Sequence, residues 1–151
     1  MSLILNKDLT VRSTAFANDA IIPSKYTCDG QNISPELTIG EIPKGTKTLA
    51  LIVEDPDAPK GTFDHWVMWN IPPNEKIAEN TAPGAQGLNG SKQNKYYGPC
   101  PPSGTHHYHF KVYALDDELN LSDDTDKKKL MDAMQGHILA QGELIGLYQR
   151  Q

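Results

Sequence analysis

The side chains best equipped for chemistry stand where apolar, strand-like runs meet loops of proline and glycine. Asp55 ends the run Lys47-Thr-Leu-Ala-Leu-Ile-Val-Glu54 and opens Asp55-Pro-Asp-Ala-Pro59. His65 begins His65-Trp-Val-Met-Trp-Asn-Ile71, and His106 and Tyr108 follow the rigid loop Gly98-Pro-Cys-Pro-Pro-Ser-Gly-Thr105. Two imidazoles and a carboxylate brought together could hold an anion, with the carboxylate orienting one ring or keeping it protonated. The same trio, Asp55, His65 and His106, could also hold a metal or act as general acid and base for hydrolysis. This alternative ranks lower, because no His-x-x-x-His or other compact ligand pair occurs in the set and Cys100 lacks an activating partner. Neither a metal nor a cofactor is called for.

A strand places alternate residues on opposite faces. His106, Tyr108, Phe110 and Val112 therefore share one face, which runs from polar to apolar, as a pocket mouth grading into core would. His107, His109, Lys111 and Tyr113 fall on the other face and are read as solvent-facing bystanders. Asp55 is in phase with Leu49, Leu51 and Val53, and His65 with Val67, Trp69 and Ile71, so each polar residue heads a buried row. A buried acid at Asp55 must find partners.

Further strands are expected over Leu9–Ser13, Glu36–Ile39 and Ala140–Tyr148. One helix is expected from Lys127 to Leu139, capped by Ser122 or Asp123, with Leu130, Met131, Met134, His137 and Ile138 at helical spacing. Ile77 to Tyr97 reads as a long ordered loop with room for one short strand, and Glu75–Tyr97 as a candidate contact for a protein partner. Alternating βαβ units are absent. The expectation is a single mainly β domain over residues 1–151: a β-sandwich of two antiparallel-rich sheets, long loops and one or two short helices near the C-terminus.

The 14 basic and 19 acidic side chains leave a net charge of −5, which offers no cationic surplus for nucleic acid or anionic membrane. Met1–Lys7 lacks the basic and apolar regions of a signal peptide, and no apolar run approaches the ~20 residues of a membrane span. A cytoplasmic protein is expected, with self-association into a homodimer open. Cys28 and Cys100 have a formal pairing available, but free thiols are the default in a reducing compartment.

Several of these segments carry a resemblance. Asp55-Pro-Asp-Ala-Pro59, His65 followed by an aromatic, Gly-Pro-x-Pro-Pro-x-Gly-x-His-x-Tyr over Gly98–Tyr108, and Tyr113-Ala-Leu115 resemble the phosphatidylethanolamine-binding protein family. Tyr26-Thr-Cys-Asp-Gly30 and Asn32-Ile-Ser-Pro35 are similar to the signature of its bacterial, Raf-kinase-inhibitor-like branch. The likeness runs from about Phe16 to the C-terminus. It implies a β-sandwich-like fold with a pocket for phosphate groups of lipid head groups, small molecules or phosphoproteins. Carried over, the pocket is Asp55, His65, His106 and Tyr108, walled by backbone from Gly98, Pro99, Cys100 and Pro101. Asp57 supports the neighbouring loop and Phe63 supplies an aromatic rim. The resemblance thus implies a non-catalytic binding protein, with kinase or protease regulation open. Cys100 stands where many eukaryotic members have glycine. The segment from Pro59 to His65 is short, and no helix follows Tyr148 as in mammalian members, so kinase regulation is not carried over.

Overall fold

The computed structural model describes residues 7–150; of the stretch read for targeting signals, residues 1–6 lie outside the described residues. Three long strands form the frame: β5 (Thr48–Asp55), β6 (Phe63–Ile71) and β9 (His106–Leu115). β5 lies between the other two, antiparallel to both. The C-terminal strand β10 (Ile138–Tyr148) pairs antiparallel with β9 along its whole length. Short strands β1 (Lys7–Asp8) and β3 (Ala20–Ile21) run parallel to β10, and β8 (Ala85–Gln86) closes the far side on β6, giving a seven-stranded sheet. A second sheet of three antiparallel strands is built from β2 (Thr10–Arg12), β4 (Leu37–Gly40) and β7 (Lys76–Ile77).

The nearly continuous apolar run of β5 follows from its central place, because both of its faces are covered. On one face Leu49, Leu51 and Val53 join the main core with Phe110, Val112, Leu37 and Ile39 between the two sheets. On the other, Ala50 and Ile52 pack with Val67, Trp69, Tyr113, Leu115, Leu130 and Met134 beneath helix α1 (Lys127–Met134). Tyr113, expected on a solvent face, is therefore buried: the helix covers that end of the sheet.

The helix is shorter than its spacing suggested and is capped differently. Asp126 is the N-cap, its carboxylate accepting from the Lys129 amide at 3.0 Å, so Ser122 and Asp123 lie before the cap. The chain leaves the helix after Met134, turns at Gly136 (φ 82°), and places Ile138 in β10. Met131 points outward and is exposed. The polar segment after Ile71 holds two short strands, β7 and β8, one in each sheet. Among the described residues no helix is long and apolar enough to cross a membrane.

β6 carries two bulges that matter for the site. Its pairing with β5 slips between Leu49 and Leu51, and again between Val53 and Glu54. At the first slip Asn70 adopts φ 54° and its side-chain amide brackets Leu119, donating to its carbonyl and accepting from its amide, both at 2.8 Å. At the second, Val53 pairs with Trp66 and Glu54 with Asp64, which leaves His65 as the extra residue.

Candidate functional site

The ends of β5, β6 and β9 converge on a cavity of about 260 Å³. Its lining includes Asp55, Phe63, His65, Cys100, Pro101, His106 and Tyr108 from the expected set, together with Tyr97, Pro102 and the turn Ala58–Gly61. Asp55 ends β5 as the next inward residue after Val53 and is 3 % exposed. Its Oδ2 accepts from His106 Nδ1 at 2.6 Å, and its Oδ1 from the Asp57 amide at 2.8 Å. Both carboxylate oxygens are thus engaged, which meets the requirement that a buried acid be partnered.

His65 arrives by another route than simple alternation. Its phase mates Val67 and Trp69 face the helix layer, while the bulge turns His65 toward Asp55 and Tyr108. A bulged residue is re-aimed in this way because it has no partner across the ladder. Its Nδ1–H donates to the Tyr97 carbonyl at 2.5 Å, in a cage of Phe63, Tyr97 and Tyr108 rings centred 4.8, 5.7 and 5.2 Å away. Burial pushes the His65 pKa below the ordinary imidazole value of 6.5; the Tyr97 carbonyl and the nearby charges of Asp55 and Asp64 oppose this without cancelling it.

Tyr108 is fully buried beneath the cavity, its ring stacked 6.3 Å from that of His106. Among the described residues, its hydroxyl and Asp64 Oδ1 are the buried side-chain atoms left without a hydrogen bond. Asp64 Oδ1 lies 2.9 Å from Lys127 Nζ, so the Tyr108 hydroxyl alone has no partner of either kind. Burial, with the charges of Asp55 and Asp57, raises its pKa and keeps it protonated as a donor. Two wider clefts, of about 480 and 630 Å³, border the short strands β1 and β2 and contain no such group.

Not every expected residue reaches the cavity. The Gly98 amide donates to Asn32 Oδ1 at 3.0 Å, and Pro99 offers its carbonyl to the Cys28 amide at 3.1 Å. Gly98 is required because a Cβ there would stand 2.0 Å from Asn32 Oδ1. Prolines 99, 101 and 102 have no N–H, so in Gly98–Pro102 only Cys100 keeps an uncommitted amide. Asp57 does support the loop: its Oδ2 accepts from the His107 amide and ring at 2.8 and 2.7 Å. His107 is accordingly a loop anchor, whereas His109 pairs outward with Glu143 at 2.9 Å.

The expectation of free thiols is overturned. Cys28 and Cys100 form a disulfide, and among the described residues no free cysteine remains. The expectation rested on compartment, whereas the Cys28 amide bound to Pro99 brings the two segments side by side. Alternation offered no signal for Tyr97 or Lys60, which reach the cavity through loop geometry.

The chain is matched by the family model described as phosphatidylethanolamine-binding protein over residues 12–149. A UPF0098 protein of the archaeon Pyrococcus abyssi is 49% identical over 149 residues, spanning 91% of this chain and 84% of that protein. Another, from Methanothermobacter thermautotrophicus, is 46% identical over 94% of this chain and 99% of its own length. Relatives thus extend beyond bacteria. A crystal structure of a phosphatidylethanolamine-binding protein homologue from Chlamydia trachomatis superposes with a TM-score of 0.92 at 39% identity, covering 97% of this chain and 100% of that one. YbcL of E. coli, described as a member of the mammalian family, gives 0.87 at 27% identity, covering 95% and 99%. On sequence and fold together, the chain belongs to the phosphatidylethanolamine-binding protein family.

Proposed function

We propose that this protein is a non-catalytic binding protein whose cavity takes a phosphate-type anion, carried by a small molecule, a lipid head group or a phosphoprotein. The observation that carries this reading is the Tyr108 hydroxyl, a buried donor without a protein partner, set beside two imidazoles. A buried polar group left unpaired costs roughly 1–3 kcal/mol, and a ligand oxygen would remove that cost. His106, oriented by Asp55, adds a second ring nitrogen, and Lys60 and the Cys100 amide stand at the rim. Hydrogen bonds to a charged oxygen are the stronger kind, so a few well-placed donors suffice.

The Asp55–His106 pair would also suit a general base. The lining offers that base no aliphatic hydroxyl or free thiol to activate, since Cys100 is tied in the disulfide. Binding is therefore the favoured reading.

Titration with inorganic phosphate, followed by calorimetry and by the imidazole resonances of His65 and His106, tests it. The expected result is saturable shifts of both rings, lost in His106→Ala. Unmoved imidazoles at millimolar phosphate would sink the anion-site reading.

A further inference from the structure

All five histidines engage Nδ1, and the partners divide them. His106, His107, His109 and His137 each face a carboxylate, at 2.6 to 2.9 Å. His65 alone faces a carbonyl, that of Tyr97. A carboxylate orients a ring and sets a negative charge beside it, whereas a carbonyl fixes the tautomer without supplying charge. A carbonyl oxygen can only accept, so Nδ1 of His65 carries a hydrogen, and in the neutral ring Nε2 presents a lone pair. Burial holds the ring in that neutral form. The surroundings agree: Asp55 and Lys60 are the formal charges lining the cavity and offset one another, and no arginine is present to meet a dianion. Asp64, the other acid near His65, is paired with Lys127. Tyr97, Tyr108 and His106 complete the titratable groups packed against the ring.

We propose that His65 Nε2 acts as a hydrogen-bond acceptor, so that the cavity selects an oxyanion still bearing a proton, a terminal phosphate or phosphomonoester, over sulfate or a phosphodiester. This rests on the phosphate-binding reading and narrows it. A monoester, with its second ionisation near pH 6, has a P–O–H to donate in mildly acidic solution. Sulfate and phosphodiesters have none, and their oxygens would meet the Nε2 lone pair without a hydrogen between them. Unmatched polar groups of this kind discriminate strongly between ligands of the same shape. The Tyr108 hydroxyl donates to a second, unprotonated oxygen. Of the possible sources, this chemistry favours free phosphate or a terminal monoester and disfavours the diester of an intact phospholipid.

The test is calorimetric titration of the intact, oxidised protein near pH 6 with inorganic phosphate, phosphoethanolamine, glycerophosphoethanolamine and sulfate. Long-range proton–nitrogen spectra of the His65 ring are recorded alongside. Phosphate and phosphoethanolamine are expected to bind at least about tenfold more tightly than sulfate and the diester, with Nε2 remaining unprotonated when bound. Phosphate binding without phosphoethanolamine binding supports the selection and limits the source to free phosphate. Sulfate or diester binding equal to that of phosphate, or a bound His65 protonated at both nitrogens, overturns the proposal and leaves the anion site standing. Failure of all four ligands to bind removes the anion site and the proposal with it. His65→Gln, whose amide can turn to donate, is expected to bring sulfate within about threefold of phosphate; an unchanged ratio in a folded variant counts against His65 as the selector.

Discussion

Tyr108 separates ligand binding from structural support, because its hydroxyl adds nothing to the folded protein that the structure reveals. Tyr108→Phe removes a buried, unpartnered oxygen while keeping the ring stacked on His106. Its melting temperature is expected to hold or rise, while phosphate affinity falls about tenfold, near the value of one hydrogen bond to a charged group. A fall in stability without loss of affinity, by thermal melting and calorimetry, would show the hydroxyl to be structural. His65 gives a pH signature. Its folded pKa lies below the ordinary 6.5 because burial outweighs the carbonyl and nearby acids, so below that value the unfolded chain binds the extra proton more readily. The stability it contributes is present above about pH 6.5 and is lost as the pH falls through the lower folded value. Thermal melts from neutral to mildly acidic pH should show this decline, reduced in His65→Gln.

At the scale of elements, α1 is fastened to the sheet by charge as well as by Leu130 and Met134. Lys127 Nζ reaches Asp64 at 2.9 Å and Glu54 at 3.3 Å, and Lys111 reaches Glu54 at 3.2 Å. Burial alone would raise the Glu54 pKa, but Lys127 and Lys111 bring it below the usual value of 4.5. Removing Lys127 leaves Asp64 unpaired and Glu54 with Lys111 alone, and Lys127→Ala is expected to cost roughly 1–3 kcal/mol near neutral pH. Because Glu54 is lowered, the loss should shrink as the pH falls below about 4.5; a cost that does not change with pH in denaturant melts would assign it to packing instead. Charge linking β5, β6, β9 and α1 could not be read from sequence, since it depends on which strands are neighbours. Asp55, His106 and Tyr108 were legible because β5 and β9 keep strict alternation to their ends. His65 was placed by an argument the strand does not obey, as its phase mates turned out to face the helix. Nothing in His65-Trp-Val marks a bulge; the irregularity appears only once β6 is paired with β5. Tyr97 and Lys60 stayed hidden because loop geometry, which has no period, brings them to the cavity, whereas the Gly98–Pro101 wall was legible through the resemblance.

For the molecule as a whole, the Cys28–Cys100 bridge joins the early loop to the cavity rim across a sequence separation of 72. Other ties gather at the same place: Asp29 accepts from Tyr148 at 2.6 Å and from Arg150 at 3.0 Å, while Asn32 holds Gly98. The loop after Pro23 is therefore fixed both to the end of β10 and to the wall of the cavity. A crosslink closing a loop of that length restricts the unfolded chain by roughly 4 kcal/mol in the chain-entropy account. For a domain of this size that corresponds to a drop of about 10 °C in melting temperature on reduction. The remaining ties predict that the rim keeps its position when the sulfurs part, because Asn32 and the Pro99 carbonyl hold it independently of the bond. Cys28→Ser with Cys100→Ser, compared with the oxidised protein by calorimetry, should therefore melt markedly lower and bind phosphate within about threefold of the parent, as expected for a link acting mainly through the unfolded state. A loss of affinity well beyond that, in a variant still folded at the assay temperature, would instead make the disulfide a part of the binding wall.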